Sequence, residues 1–227
     1  MANKGCIMDV IYHTAHVEKN TETLEELFNS GVPVELDFVT TRDGVPIWTH
    51  DILPTQLLSS TSSKLKNSLE LIDILDINNH RCPLMLDIKY VPKYILKSDS
   101  FQKLLKLLSE YGDIQIESLN LAFLRELAEH HRFEIGLIVN VLDRMWINSA
   151  QIPDLSRIDF FALSSELWEQ RNGSYIDKCR KIYPDTKLYA WTWAKKEETE
   201  ERIKNFIDME ANGIITGNPT LVKTILK

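Results

Sequence analysis

The sequence predicts one (β/α)8 barrel running over the whole chain, residues 1–227. Three observations carry that expectation. Short apolar runs of strand length alternate with longer amphipathic stretches from end to end, as a parallel sheet wrapped by helices requires. No linker or low-complexity segment divides the chain, and 227 residues at 44% hydrophobic are enough for one sizeable core. An open doubly wound sheet, the competing architecture, usually carries a Gly-rich phosphate turn. This chain holds only eight glycines and neither G-x-G-x-x-G nor G-x-x-x-x-G-K-[ST].

The strands are expected at Met8 to Tyr12, Val34 to Val39, Leu84 to Lys89, Ile114 to Glu117, Glu134 to Asn140, Asp159 to Leu163, Lys187 to Trp193 and Gly213 to Thr216. A further short strand, Val45 to Thr49, follows the turn signal Arg42-Asp43-Gly44. Helical periodicity marks Thr21 to Asn29, Phe101 to Glu110, Leu121 to Glu129, Tyr175 to Tyr183, Lys195 to Met209 and Thr220 to Leu226. Leu104, Leu105, Leu107 and Leu108, like Leu121, Leu124, Leu127 and Ala128, form stripes read as core packing. The basic stretch from Lys93 to Lys106 is interleaved with Leu and Phe, and reads as a helix with a solvated face.

A net charge of −7, spread along the chain, disfavours nucleic acid, whose binding leans on clustered Lys and Arg. Cys6, Cys82 and Cys179 lie far apart with no C-x-x-C pair, so no disulfide framework is expected; Cys6 and Cys82 adjoin predicted strands and are expected to be buried or half-buried thiols. The N-terminus has no apolar run of signal-peptide length, and no segment approaches a membrane span. A soluble, cytoplasmic protein without stable membrane insertion is the expectation; composition leaves the oligomeric state open.

On a barrel, function gathers where the strands end. The polar residues at those ends are His13, Glu35 with Asp37, Asp87 with Lys89, Glu117, and Trp191 with Trp193. Glu35 and Asp37 are two apart, so both carboxylates point to the same side of their strand. With Asp87 on the neighbouring strand they form an oxygen-only set with no nearby Cys, which suits Mg²⁺ or Ca²⁺ better than zinc. A purely structural reading of the same residues pairs Asp87 with Lys89 and uses Glu35 as a cap or salt-bridge partner. His13 ends the first strand and His50 the short one. Two histidines flanking a cation suit acid and base roles in phosphoryl transfer. Lys89 is placed to meet a phosphate oxygen, and Trp191 with Trp193 offers a flat wall to an apolar or alcohol group.

These stretches resemble the glycerophosphodiester phosphodiesterase family. Its pattern runs H-R-G, E-N-T, E-x-D, T-x-D-G, H-D, E-x-K, W-T and G-I-I-T-D-x-P. In the same order this chain reads Y-H-T-A (Tyr12 to Ala15), K-N-T (Lys19 to Thr21), E-L-D (Glu35 to Asp37), T-R-D-G (Thr41 to Gly44), H-D (His50, Asp51), L-D-I-K (Leu86 to Lys89), W-T (Trp191, Thr192) and G-I-I-T-G-N-P (Gly213 to Pro219). The resemblance implies a TIM barrel of the phospholipase-C-like phosphodiesterase type. It lacks the small inserted domain, because the span from Asp51 to Leu84 is short. It implies a divalent cation on Glu35, Asp37 and Asp87, the last in place of the family's glutamate. It further implies His13 and His50 as acid–base pair and Lys89 on the phosphate. The implied reaction cleaves glycerophosphodiesters to glycerol phosphate and an alcohol such as choline or ethanolamine.

The departures are specific. Thr14 stands where the family has an arginine, which removes a bidentate phosphate donor. Lys19 reverses the charge of E-N-T, although Glu18 is adjacent, and Gly217 alters the last motif. His16, in H-V-E-K-N-T, rivals His13 as the first histidine. Aspartate at 87 also resembles sphingomyelinase D-like and lysophospholipase D-like lipid phosphodiesterases, a second reading. That reading expects an exposed apolar rim near Leu57-Leu58 or Tyr90-Val91. The lost arginine suggests a third reading, a catalytically silent barrel that binds a phosphorylated ligand.

Overall fold

The computed structural model describes residues 8–15, 17–49, 68–89, 91–130, 133–140, 157–169, 174–192 and 198–227. Nine strands are present among them: β1 (Asp9–His13), β2 (Val34–Thr40), β3 (Pro46–Trp48), β4 (Leu84–Ile88), β5 (Ile114–Ser118), β6 (Glu134–Val139), β7 (Phe160–Ser164), β8 (Lys187–Trp191) and β9 (Gly213–Thr216). Eight pair in parallel in the order β1-β2-β4-β5-β6-β7-β8-β9, and β9 returns to β1 to close the ring. The ninth, β3, lies outside the ring and pairs antiparallel with β2, Phe38 opposite Trp48.

The hairpin that adds β3 follows from local chemistry. Gly44 takes φ +86°, a left-handed conformation that suits glycine. Thr41 Oγ1 donates to Asp43 Oδ1 at 2.6 Å and tightens the turn. The Thr49 N–H then donates to Asp37 O at 3.0 Å, so the returning chain is held beside the end of β2.

Helices cover the outside. Those described are α1 (Thr21–Asn29), α2 (Leu71–Asn78), α3 (Lys93–Leu96), α4 (Asp99–Tyr111), α5 (Leu121–His130), α6 (Ser165–Glu169), α7 (Ser174–Ile182), α8 (Glu200–Asp208) and α9 (Pro219–Ile225). Several start at side-chain caps: Asn20 accepts from Thr23 N, Ser98 from Phe101 N and Thr199 from Arg202 N. Two corrections to the sequence reading follow. The basic stretch 93–106 is two helices, because Ser98 caps a new one after the first has stopped. The helix expected from Lys195 begins at Glu200, because Thr199 is its cap. The sequence reading also assigned no helix to 71–78 or 165–169. None of the described helices is long and apolar enough to cross a membrane.

Two apolar layers result. The larger lies between strands and helices and holds Leu24, Phe28, Leu36, Phe101, Phe123, Trp168 and Phe206. The smaller fills the barrel itself with Ile11, Met85, Phe160, Ala162, Tyr189 and Ile215. Being covered on both sides, β2 is buried at every position, as strands of a wrapped parallel sheet are. Gly136 makes room for Phe160, since a Cβ there would lie 2.0 Å from Phe160 Cε2. Cys82 is a buried free thiol, as expected, and Cys179 is another; Cys6 lies outside the described residues.

Below that layer a polar network closes the barrel's other end. Tyr189 Oη donates to Asp9 Oδ2 at 2.9 Å, Gln115 bonds Glu134, and Lys187 Nζ donates to Glu134 Oε1 at 3.0 Å.

Candidate active site at the barrel mouth

Strand register sets the site. Residues two apart on a strand share a face, so Glu35 with Asp37, Asp87 with Lys89, and Glu117 with Leu119 rise along the inner wall toward the strand ends. Across the ring His13 is level with Glu35, Asp37 with Asp87, and Asp87 with Glu117. Four carboxylates, one histidine and one lysine thus meet in a cavity of about 120 Å³. Leu119, Ile138, Asn140, Trp191 and Ile215 complete its lining. Acids and base stand on the β1–β5 side; the opposite arc is mostly apolar.

The contacts are close. His13 Nε2 lies 3.6 Å from Glu35 Oε2. Lys89 Nζ lies 2.7 Å from Asp37 Oδ1 and 3.2 Å from Asp87 Oδ2. The Asp87–Lys89 ion pair of the structural reading is therefore present, and it extends to Asp37. Lys89 remains at the mouth, its side chain 29% exposed.

Burial and like charge dominate the electrostatics. Glu35, Asp37, Asp87 and Glu117 are each 7% exposed or less. Desolvation, reinforced by Asp37, Glu117 and Asp87, raises the Glu35 pKa well above the carboxylate range. Desolvation likewise raises Glu117, with Asp87 and Asp37 adding to it. Asp87 is pushed up to about 7, mainly by burial, with Lys89 opposing. Burial by itself would lower Lys89, but Asp87 and Asp37 outweigh it and hold the ammonium charged.

The donor set fits a hard divalent cation. Glu35 Oε2, Asp87 Oδ1 and Glu117 Oε2 are buried and accept no hydrogen bond, and orphaned carboxylate oxygens facing one cavity are costly without a counter-charge. One ligand atom each from His13, Glu35 and Asp37 lie within 4.8 Å of one another. Asp87, expected beside Glu35 and Asp37, lies outside that compact trio, with its Oδ2 3.2 Å from Lys89 Nζ.

Other expected residues are distributed as follows. Trp191 faces the cavity, and its Nε1 donates to Ala162 O at 3.1 Å. His16, His50, Asp51, Leu57, Leu58, Tyr90 and Trp193 lie outside the described residues. Val91 is buried at 3%, so it forms no exposed rim; Leu119, 47% exposed, takes that place. Thr14 is fully buried and donates to Glu35 O at 2.8 Å, tying β1 to β2 rather than facing a ligand. Lys19 Nζ donates to Thr14 O at 2.6 Å and lies 4.7 Å from the centre of the Trp48 ring.

Two acids carry more than their positions in the sequence announced. Glu117 was visible as a strand-end acid, but alternation reports a side, not a distance across a ring. Glu198 was not visible at all. It accepts from Thr192 Oγ1 at 2.9 Å, Thr216 Oγ1 at 2.7 Å and Gly217 N at 2.7 Å. The W-T and T-G segments are thereby joined at the ends of β8 and β9.

No family model matches the chain, and no curated protein matches it. Solved structures do. A glycerophosphodiester phosphodiesterase from Parabacteroides distasonis superposes with a TM-score of 0.75 at 17% identity, covering 96% of each chain. Another, from Agrobacterium tumefaciens, gives 0.67 at 13% identity over 95% of this chain and 99% of its own. A tryptophan synthase α-subunit from Pyrococcus furiosus also matches, at 0.55 and 14% identity over 96% and 94%. Since barrels of different chemistry share these strands, the likeness speaks to architecture. The chain therefore has the TIM-barrel fold, the one in which the glycerophosphodiester phosphodiesterases of Parabacteroides distasonis and Agrobacterium tumefaciens were solved.

Proposed function

We propose that this protein is a metal-dependent phosphodiester hydrolase that cleaves glycerophosphodiesters to glycerol phosphate and an alcohol. The observation that carries the reading is the meeting of His13, Lys89 and four buried carboxylates in one mouth, three of them with unbonded oxygens. Packing has no use for such a set. The shared barrel and the ordered E-L-D, T-R-D-G, H-D and L-D-I-K segments add support.

Glu35 and Asp37, with Asp87 beside them, would hold Mg²⁺ or Ca²⁺. Bound there, the cation supplies neutralisation of the phosphate oxygens as charge shifts in an in-line displacement. His13 presents Nε2 to the cavity, where it takes or returns a proton at the reacting oxygen. His50 is assigned the complementary proton transfer, on the strength of the H-D segment following β3. Lys89 offers an ammonium to a phosphate oxygen, and Trp191 a flat wall to the organic part of the ester. Attack of a neighbouring glycerol hydroxyl on phosphorus would expel the alcohol and leave a cyclic phosphate that water then opens to glycerol phosphate. Holding that hydroxyl against phosphorus replaces an encounter and is worth several kcal/mol.

A second reading, a lysolipid or sphingolipid diester, draws on one observation: Leu119 exposes its side chain at the rim beside Ile138 and Trp191. The deciding experiment is alcohol release from glycerophosphocholine, glycerophosphoethanolamine and lysophosphatidylcholine, with Mg²⁺, Ca²⁺ or EDTA. His13→Ala, His16→Ala and His50→Ala are run alongside. Metal-dependent turnover lost in His50→Ala and one N-terminal variant supports the hydrolase and selects the first histidine. Preference for lysophosphatidylcholine favours the second reading. Absence of turnover on every diester, with a phosphate ester still bound, overturns both in favour of a silent barrel.

A further inference from the structure

Glu117 is the acid of the mouth to which the reading above gives no part. It stands on β5 directly opposite Asp87 of β4. It is 4% exposed, lines the cavity, and its Oε2 has no hydrogen-bond partner. A glutamate held this way in a barrel interior is expensive, and an apolar side chain would pack there at lower cost. Its neighbour two residues below on the same wall, Gln115, bonds both Glu134 and Tyr189. The open oxygen of Glu117 is thus a property of its position and not of the strand.

Asp87 shows what that oxygen is for. Aspartate is one methylene shorter than glutamate, and Oδ2 of Asp87 is engaged by Lys89 at 3.2 Å. Its reach into the mouth is short and half of it is taken. Glu117, level with it on the adjoining strand, is one methylene longer and carries no such tether. Hard cations take six or more oxygens and tolerate carboxylates from several elements.

We propose that Glu117 is a direct carboxylate ligand of the divalent cation, supplying from β5 the oxygen that Asp87 only partly provides from β4. This rests on the cation-dependent reading of the mouth given above. The cation site is then built from β2, β4 and β5, with Glu35 and Asp37 on one side and Asp87 and Glu117 on the other. Its four acids against one lysine give it more negative charge than a three-carboxylate site.

The test is titration of the full chain with Mn²⁺, Mg²⁺ and Ca²⁺ by calorimetry, with Tm measured with and without each ion. Wild type is compared with Glu35→Gln, Asp87→Asn, Glu117→Gln and Glu117→Asp. The expected result is at least a tenfold weaker Mn²⁺ affinity in Glu117→Gln, similar to Glu35→Gln, with a smaller loss in Glu117→Asp. Ligand binding to the native state raises Tm, so the ion-induced rise should shrink in Glu117→Gln. The metal-free Tm of that variant should equal or exceed wild type, because a buried acid has gone. Mn²⁺ affinity within twofold of wild type in Glu117→Gln, beside loss in Glu35→Gln, overturns the assignment while leaving the hydrolase reading intact. A wild type that binds none of the three ions overturns both. Should Glu117→Gln fail to fold, Glu117→Asp decides, and unchanged affinity there counts against the ligand role.

Discussion

Lys89 Nζ sits 2.7 Å from Asp37 Oδ1, a contact across the barrel wall between neighbouring strands. With Asp87 also within reach, this ammonium is, among the described residues, the lysine or arginine that balances the buried acids of the mouth. A cation arriving at Asp37 competes with it directly.

Replacing Lys89 by Met separates its two effects. Breaking a buried charge pair costs about 3–5 kcal/mol when the partner stays ionised. The loss should therefore be large at pH 8 and smaller at pH 5, where the acids take up protons instead. Urea denaturation at both pH values measures it. Cation affinity should rise, since a competing positive charge has gone, while turnover falls.

The acids also set a pH dependence for the cation-free protein. Asp87 titrates near 7 when folded, against about 4 when unfolded. Between those values the folded state binds more protons than the unfolded, so stability falls as pH rises through the window. Glu35 and Glu117 are raised in the same direction and extend the fall upward. Thermal melts in EDTA should show a higher Tm at pH 5 than at pH 8. Adding Mg²⁺ or Ca²⁺ should narrow the difference, because the ion replaces the protons.

His13→Gln should lower kcat by about 10²–10⁴, the range for a general acid or base. Tm should change little, because His13 is partly exposed at a strand end. Steady-state kinetics on the best diester, with calorimetry for cation binding, checks both parts.

Glu198→Ala should destabilise the chain by about 1–3 kcal/mol through the donors it strands. Thr192, Thr216 and the Gly217 N–H would each lose a buried acceptor. Glu198→Gln keeps an acceptor oxygen and should recover part of the loss. Chemical denaturation of the two variants gives the comparison.

Gly136→Ala tests the barrel filling. The new methyl meets the Phe160 ring at a distance no real contact allows, so overpacking should cost about 1–3 kcal/mol or more. Adding Phe160→Leu should restore much of it, and a double-mutant cycle on Tm reads the coupling.

The barrel was legible because its strands are short, apolar and separated by amphipathic stretches. Thr21–Asn29 matched at both ends, since Asn20 is a strong cap and the Ser30-Gly31 pair terminates the turn. The segment L-I-D-I-L-D-I-N at 71–78 was not assigned, because a short apolar run broken only by Asp73 and Asp76 is shared by buried strands and helices. Side alternation placed Glu35, Asp37 and Asp87 on the inner wall. Which carboxylate Lys89 prefers depends on the register of β2 against β4, and a linear pattern does not contain that. Glu198 needed the closure of β8 against β9 before its three partners came together.

The tyrosine and phenylalanine that fill the barrel, with the Asp9, Gln115, Glu134 and Lys187 network beneath, make the cavity a blind-ended tube. Among the described residues that floor is filled, so a ligand entering at the mouth would leave by the same opening. If the mouth splits a diester as proposed, the fragment nearer the rim would block the one lodged against the acids. Departure would then be ordered, with the outer piece first, and a high concentration of that piece would hold the inner one in place.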